Sequence, residues 1–482
     1  MRGLVDREAE LQQLHSLLQA GEPRLALLSG RRRVGKTFLL TNAWSSEVAF
    51  YFCAANTSPD INRKELIEEL SRWSGEELRP QDYPTWRAVF NLLLEVRAPQ
   101  PIVLILDEFQ YLANDEAGLA QVASELNAAW ERRRPVRPLV LVLAGSAISM
   151  MEGLASGGAP LYGRFNFRKR LLPFDYWHTT RMLHRLPARD AALAYAIFGG
   201  IPRYLAPIDQ DRGFAQNVTR LLLAPEGEVR QLVESAIEQE EGLRDISSYR
   251  GILRAVANGR VQRNEIALYA GLSNDNALVQ KLEKLIELGY LEEAGNFGAA
   301  RTAPRRYRIT DQAFRFHQRF VEPNMSLLQR SDPADVWTAI VAPQLDTYMG
   351  LEFERIAVQA YDRQAGIGGR PLVQQWSRWE GVDRSRKSLE IDLVAPLVDG
   401  RMLTGAVKWN RRPVSLKLHF DHLEMLERAA LAGQGWAHDA LSENAVFYYV
   451  SAAGFADGFE EVAAERGHEV ICWSLEDLYA PG

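Results

Sequence analysis

The sequence predicts an α/β protein in which a parallel sheet with interleaved helices comes first, followed by a helical segment, a helix-and-hairpin module and a second α/β domain. Three observations carry this prediction. Apolar runs at 25–28, 102–106 and 139–144 alternate with helical stretches such as 61–73 and Glu116–Arg132, the pattern of strands buried on both faces. Residues 250–310 then read as three short helices and two strands around a Gly/Ala-rich tip. After the polar stretch 331–335, two strand runs, Ser388–Pro396 and 402–410, return with an acid and a lysine near their centres.

Length and composition set the frame. The chain has 482 residues, enough for about three or four domains. At 47% hydrophobic and 24% charged residues it has ordinary globular composition, which excludes wholesale disorder and repetitive fibres. The boundaries fall at 1–175, 176–245, 246–325 and 335–482. Cys53 and Cys472 lie in apolar runs and read as core thiols in a reducing compartment; two cysteines make neither a disulfide framework nor a four-ligand zinc site. No run approaches the length that spans a bilayer, and Arg2, Asp6, Arg7 and Glu8 interrupt any leader-like segment, so a cytoplasmic protein with no membrane partner is expected. Net charge is −6, but the signs are segregated. Residues 250–330 hold thirteen Lys and Arg against eight Asp and Glu, whereas 226–245 hold seven acids against Arg230 and Arg244.

The first element is a strand at 25–28 running into GRRRVGKT (residues 30–37) and then an apolar helical pattern. This is the G-x4-G-K-[ST] spacing of a phosphate-binding loop in its strand–loop–helix setting. Its glycines let backbone N–H groups turn toward a phosphate, and the helix N-terminus adds positive potential. Gly30, Arg33, Val34, Gly35, Lys36, Thr37 and Phe38 are the expected nucleotide contacts. Lys36 supplies charge for the β/γ oxygens, and Thr37 offers its hydroxyl to Mg²⁺. Arg31 and Arg32 fill variable loop positions.

A strand over 47–54 follows. Residues 101–106 form a further apolar strand ending in Asp107 and Glu108, which suits a central parallel strand whose C-terminal edge meets the ligand. Asp107 is expected to hold Mg²⁺ through water, and Glu108 to polarise the attacking water. The run 139–144 ends in Gly145 and Ser146 at the same edge. Ser146 there either senses the γ-phosphate or caps the next helix.

GLVDREAE (3–10), the loop, LILDEFQYL (104–112), LAGS (143–146) and FGGIPRYL (198–205) together resemble the archaeal-type ATPases of the STAND/AAA+ grouping, over residues 1 to about 240. The resemblance implies a P-loop NTPase sheet with a helical lid, ATP and Mg²⁺ as ligands, and adenine near residues 4–7. It also implies that Pro202, in the lid, lies near the base. Arg164, in LYGRF (161–165), matches a family arginine position; it is either a transition-state finger, in cis or from a neighbouring subunit of a homo-oligomer, or a plain ion-pair residue.

Residues 249–257, 264–270 and 275–288 read as three helices. The third carries Ala277, Leu278, Leu282, Leu285 and Ile286 on one face. With strands at 290–293 and Arg306–Ile309 around the tip 294–300, the segment resembles a winged helix-turn-helix. That resemblance implies DNA as a partner. Asn274, Asn276, Gln280, Lys281 and Lys284 then face the major groove, and Arg301, Arg305, Arg306 and Arg308 meet phosphates. The competing reading is an internal or protein-contact module.

From about residue 340, GLEFER (350–355), the strand around Asp392 and the strand around Lys408 resemble the PD-(D/E)XK nuclease-like domain, a restriction-endonuclease-like α/β fold. The family's helix Glu, strand Asp and [Glu/Asp]-x-Lys fall on Glu354, Asp392, position 406 and Lys408. Position 406 is Ala, whose methyl group ligates no cation. Natural loss of cleavage, a deliberate Glu→Ala substitution, or weak metal binding by Glu354, Asp392 and the Val407 carbonyl each explain it, and efficient cleavage is not expected. The functional expectation is Mg²⁺-dependent ATP hydrolysis coupled to a DNA-binding winged helix and nuclease-like domain. The alternative is a STAND-like signalling switch with protein partners and no DNA role.

Overall fold

A computed structural model of the chain describes residues 7–96, 101–132, 138–240, 243, 245–300, 303, 305–465 and 467–480. Residues 4–6, expected beside adenine, and Arg301 of the hairpin tip lie outside them. The chain forms two compact units: Met1–Pro173 with Ile201–Arg203 and Glu240–Gly242, and Phe174–Gly200 with Tyr204–Gln239 and Leu243–Gly482.

In the first unit, strands β1 (Arg24–Ser29), β2 (Ala49–Cys53), β3 (Ile102–Asp107), β4 (Leu139–Gly145) and β5 (Phe167–Arg170) pair in the order β2-β3-β4-β1-β5, every pair parallel. Side chains along a strand alternate between faces, so a sheet covered on both sides needs apolar residues at every position. Leu25, Leu27, Leu104, Leu106, Leu141 and Leu143 enter one core, beneath helices Pro59–Ser74, Trp86–Glu95 and Glu116–Arg132. Ala26, Leu28, Val103, Ile105, Val140 and Val142 enter the other, beneath Glu8–Gln19 and Lys36–Ala43. The sequence FRKR of β5 shows no such pattern because this strand pairs only with β1 at the sheet edge, where charged side chains discourage further strand addition.

Cys53 departs from the expected core position. It ends β2 with its side chain exposed at the C-terminal sheet edge, and burial of the sulfur followed by the charge of Asp107 pushes the thiol up to about 11. Cys472 is half-buried.

In the second unit, the residues expected as a lid do not stand apart. Tyr176, Ala192, Tyr195 and Ala196 share one apolar core with Met349, Phe353, Ile356 and Ala360 of the helix Leu345–Gln364. Three helices, Ile246–Ala257, Arg263–Ala270 and Asn276–Glu287, precede an antiparallel hairpin of β6 (Leu291–Ala294) and β7 (Arg306–Ile309), with Leu291 opposite Ile309. Asp275 caps the third helix, accepting from the Ala277 and Leu278 amides at 2.9 and 3.2 Å.

The C-terminal sheet has five strands: β8 (Ser377–Val382), β9 (Ser388–Pro396), β10 (Met402–Lys408), β11 (Val446–Ser451) and β12 (Glu469–Ser474). Their order is β12-β11-β10-β9-β8, parallel from β10 to β12 and antiparallel from β8 to β10. The helix Leu345–Gln364 covers one face, and Lys417–Leu431 and Gly435–Ala440 cover the other. The expected hairpin of β9 and β10 is present. Between the pairs Ser377–Val394 and Trp379–Ile391, β9 carries one extra residue, a bulge at Asp392 and Leu393 that turns successive side chains off strict alternation.

Candidate functional site

The phosphate-loop residues gather at the C-terminal ends of β1, β3 and β4. Gly30 has φ +155°, and a Cβ there would stand 2.6 Å from the Leu171 carbonyl oxygen, so the backbone closes where only glycine fits. Gly35, at φ +96°, leads into Lys36–Ala43, a helix that no side chain caps and whose first N–H groups therefore point into the loop. Between the two glycines Arg33 is left-handed at φ 72°, a conformation costing a non-glycine residue about 1–2 kcal/mol. Arg7 braces the loop from outside, donating to Leu172 O at 2.8 Å and Val34 O at 3.4 Å.

Lys36 is buried, and its Nζ donates to Gly30 O at 2.8 Å and Arg31 O at 3.1 Å. Burial pushes its pKa down, opposed by the charges of Glu108 and Asp107. Asp107 is fully buried, and its Oδ2 accepts from Thr37 Oγ1 at 2.8 Å and from Tyr51 OH at 2.7 Å. Glu108 is left-handed at φ 50°, and its Oε2 accepts from Ser146 Oγ at 2.7 Å, Ser146 N at 3.0 Å and Gln110 Nε2 at 2.6 Å. Burial pushes this carboxyl up, but Lys36 and the donors on Oε2 outweigh it and hold the pKa below the usual carboxylate value. Ser146 is thus bound to Glu108, and the helix that follows it, Ile148–Gly153, has no side-chain cap.

Tyr51 and Gln110 are members of this cluster that the sequence reading missed. Both carry a positional signal: Tyr51 lies two residues before the end of β2, and Gln110 two residues after Glu108. Phe38 is 51% exposed in the first helical turn. Pro202 belongs to the same unit, and its Cγ is 3.9 Å from where a Cβ on Gly35 would stand. Arg164 does not join the cluster; it pairs with Glu131 at 2.9 Å, both side chains well exposed.

A magnesium–nucleotide fits these residues. The loop presents an uncapped helix start with a buried ammonium, and a threonine hydroxyl already touches a buried carboxylate beside it.

The C-terminal residues assemble differently. Asp392, on the bulge, accepts from Val407 N at 3.0 Å and Lys408 Nζ at 2.9 Å. Glu354 meets Arg378 at 3.2 and 3.3 Å. Burial and then the Asp392 charge push the Glu354 carboxyl up to about 7. Ala406 is buried among Trp379, Leu423, Leu426, Phe447 and Tyr449. Two residues before it on the same strand, Thr404 Oγ1 meets His422 Nε2 of the helix Lys417–Leu431 at 3.0 Å. Both acids already have cationic partners, and among the described residues no group of three His, Cys, Asp or Glu could hold a metal ion. A resident cation does not fit this cluster as it stands.

The helix-and-hairpin module also departs from its expected use. Arg306 turns inward to Glu380 of β8 at 2.6 Å, and Asn296, at the hairpin tip, exchanges bonds with the Glu380 backbone at 2.7 and 2.8 Å. Phe297 packs edge-on to Trp436 with centroids 5.6 Å apart. Arg305 is exposed and pairs with Glu293. Asn274, just before the third helix, and Asn276 and Gln280 on it are exposed, while Lys281 and Lys284 pair with Asp245 and Glu287.

With the five-stranded parallel sheet, its glycine-bounded loop and the two acids at one edge established, the chain can be set beside known proteins. A family described as an ATPase domain predominantly from Archaea matches residues 4–208, and one described as archaeal and bacterial proteins of unknown function matches 317–419. An uncharacterised protein of Methanocaldococcus jannaschii is 24% identical over 417 residues, 84% of this chain and 87% of its own. Among solved structures, a Walker-type ATPase of Pyrococcus abyssi is 23% identical with a TM-score of 0.47, covering 66% of this chain and 96% of that one. The ORC2 protein of Aeropyrum pernix, in ADPNP and ADP complexes, is 16% identical with a TM-score of 0.44, covering 68% and 96%. Among the described residues no helix is long and apolar enough to cross a membrane.

Proposed function

We propose that the protein hydrolyses ATP with Mg²⁺ in the 30–37 loop and transmits the nucleotide state to its second unit. The supporting observation is the pair of adjacent carboxylates, each held differently: Asp107 by two hydroxyls, Glu108 by Ser146 and Gln110. Thr37 and Asp107 would hold the metal, which when bound neutralises phosphate charge. Lys36 orients the β/γ oxygens, and Gly30, Arg33, Val34, Gly35 and Phe38 line the nucleotide. Glu108 accepts a proton from the attacking water once its carboxylate is free of Ser146. Pro202 would report the nucleotide, a reading supported by residues 201–203 belonging to the first unit while both flanks of the chain belong to the second. Arg164 is assigned to a finger role only if a neighbouring subunit needs it.

On this reading residues 246–325 are a winged helix whose third helix offers Asn274, Asn276 and Gln280 to DNA, and residues 335–482 are a nuclease-like frame built on Glu354, Asp392 and Lys408 without cleavage. A second reading, a switch that acts on protein partners, gains support from the hairpin tip, which is spent on β8. ATP turnover with and without duplex DNA separates them. DNA coupling predicts stimulated turnover and binding that weakens steeply with salt. Turnover indifferent to DNA, with no salt-sensitive binding, selects the protein switch. Absence of any turnover overturns both.

A further inference from the structure

A cavity of about 700 Å³ opens within the second unit, between the helix-and-hairpin module, the start of Leu345–Gln364 and strand β8. This is the size of a small-molecule site. Five arginines line it, Arg306, Arg308, Arg315, Arg319 and Arg378, against two acids, Glu352 and Glu380. The acids are already engaged: Glu352 is buried and ion-paired with Arg315 and Arg355, and Glu380 with Arg306 and Arg378.

Arg308 is the exception. It is half-buried on β7, and its guanidinium has no hydrogen bond or ion pair among the described residues. Burial and the neighbouring Arg355 push its pKa down against the more distant charges of Glu354, Glu292 and Glu352, none of which hydrogen-bonds or ion-pairs with it. A guanidinium removed from water without a partner is costly, and a bound anion relieves that cost. Arg378 on the same wall is already held by Glu354, Glu380 and Glu390, so it adds positive charge at the rim without being the anchor. Val256, Val261 and Leu351 give the remaining wall an apolar character suited to the uncharged part of an organic ligand.

We propose that this cavity binds a small organic phosphate, with Arg308 as the anchor and Arg319 at the mouth. The site lies wholly in the second unit and is independent of the ATPase reading. Its ligand touches both the helix-and-hairpin module and the C-terminal sheet domain, so occupancy stiffens their junction.

The test uses the full chain carrying Lys36→Ala, which silences the loop site, in calorimetric titrations with inorganic pyrophosphate, AMP and adenosine. The expected result is saturable binding of at least one phosphate-bearing probe, none of adenosine, and a loss of about tenfold or more on adding Arg308→Met. Arg319→Gln, a change at an exposed residue, provides the same comparison if Arg308→Met fails to fold, with a smaller loss expected. No saturable heat with either phosphate probe up to about 1 mM overturns the proposal. So does affinity unchanged in the folded arginine variants, or an Arg308-dependent response to duplex DNA with none to pyrophosphate or AMP.

Discussion

Replacing Glu108 by Gln tests the proposed chemistry most directly, because the structure separates what the side chain accepts from what it can do. Its Oε2 takes three donors, from Ser146 Oγ, Ser146 N and Gln110 Nε2. An amide oxygen in the same place accepts from all three, so the backbone turn at φ 50° keeps its support. Lys36 loses the largest charge that opposes its depressed pKa but keeps Asp107 and two backbone carbonyls, so the loop stays assembled. A neutral amide takes no proton from water. The expected loss is therefore that of a general base, about 100- to 10,000-fold in turnover, or about 3–5 kcal/mol of barrier. ATP affinity should change by less than about tenfold, since the phosphate contacts are untouched. Steady-state release of phosphate gives the first quantity, and calorimetry with ATP and Mg²⁺ the second. Ser146→Ala is the companion: it removes one hydrogen bond to the carboxylate, costing about 1.5–3 kcal/mol of support, while leaving the base in place. Turnover by Glu108→Gln within a factor of about three of the native chain would refute the water-polarising role, because no mechanism resting on this base survives so small a loss.

Lys36→Ala should abolish calorimetric binding of ATP with Mg²⁺; retained binding would mean the 30–37 loop is not the nucleotide site. In the C-terminal domain, burial holds His422 at about 3, well below the ordinary 6.5. An imidazole depressed in the fold stabilises it fully above the unfolded pKa, and that stability is lost as pH falls. Denaturant titration should therefore show about 2 kcal/mol less stability at pH 5 than at pH 7 from this residue, a difference that His422→Gln removes. Ala406→Glu introduces a carboxylate among Leu423, Leu426 and Phe447, so without metal it should destabilise the domain by about 2–4 kcal/mol. Mg²⁺ should restore stability and permit DNA cleavage if the nuclease-like frame is correct. A folded variant with neither response counts against that frame.

What was legible in the sequence follows from burial. Strands β1, β3 and β4 are covered on both faces, so their residues must be apolar throughout and the runs stand out. The backbone of the 30–37 loop was legible because Gly30 and Gly35 take positive φ where a Cβ would be strained. Strand β5 was not, since an edge strand with Arg168, Lys169 and Arg170 obeys solvent rather than a core. Tyr51 escaped notice because an aromatic in a strand ordinarily reads as packing, and only the parallel pairing of β2 with β3 brings its hydroxyl to Asp107. The hairpin arginines misled for a related reason. Arg306 and Arg308 carry the charge of a DNA-facing wing, yet their direction is set by β8 and the cavity, tertiary facts that local spacing does not encode.

The same distinction bears on the C-terminal acids. A cation site needs negative charge left over after the protein's own cations are counted. Asp392 is matched by Lys408, and Glu354 by Arg378, whose guanidinium also pairs with Glu380 and Glu390. The bulge in β9 still aims Asp392 at the backbone of Val407 and at Lys408. The cluster therefore keeps a carboxylate–lysine pair, with each of its two acids already held by a cation of the protein. Burial and then the charge of Asp392 push the Glu354 carboxyl up to about 7, so it is partly protonated near neutrality. A carboxylate at position 406 would add charge to the strand that carries Lys408, and whether the proposed nuclease-like reading survives is what the Ala406→Glu variant with Mg²⁺ decides.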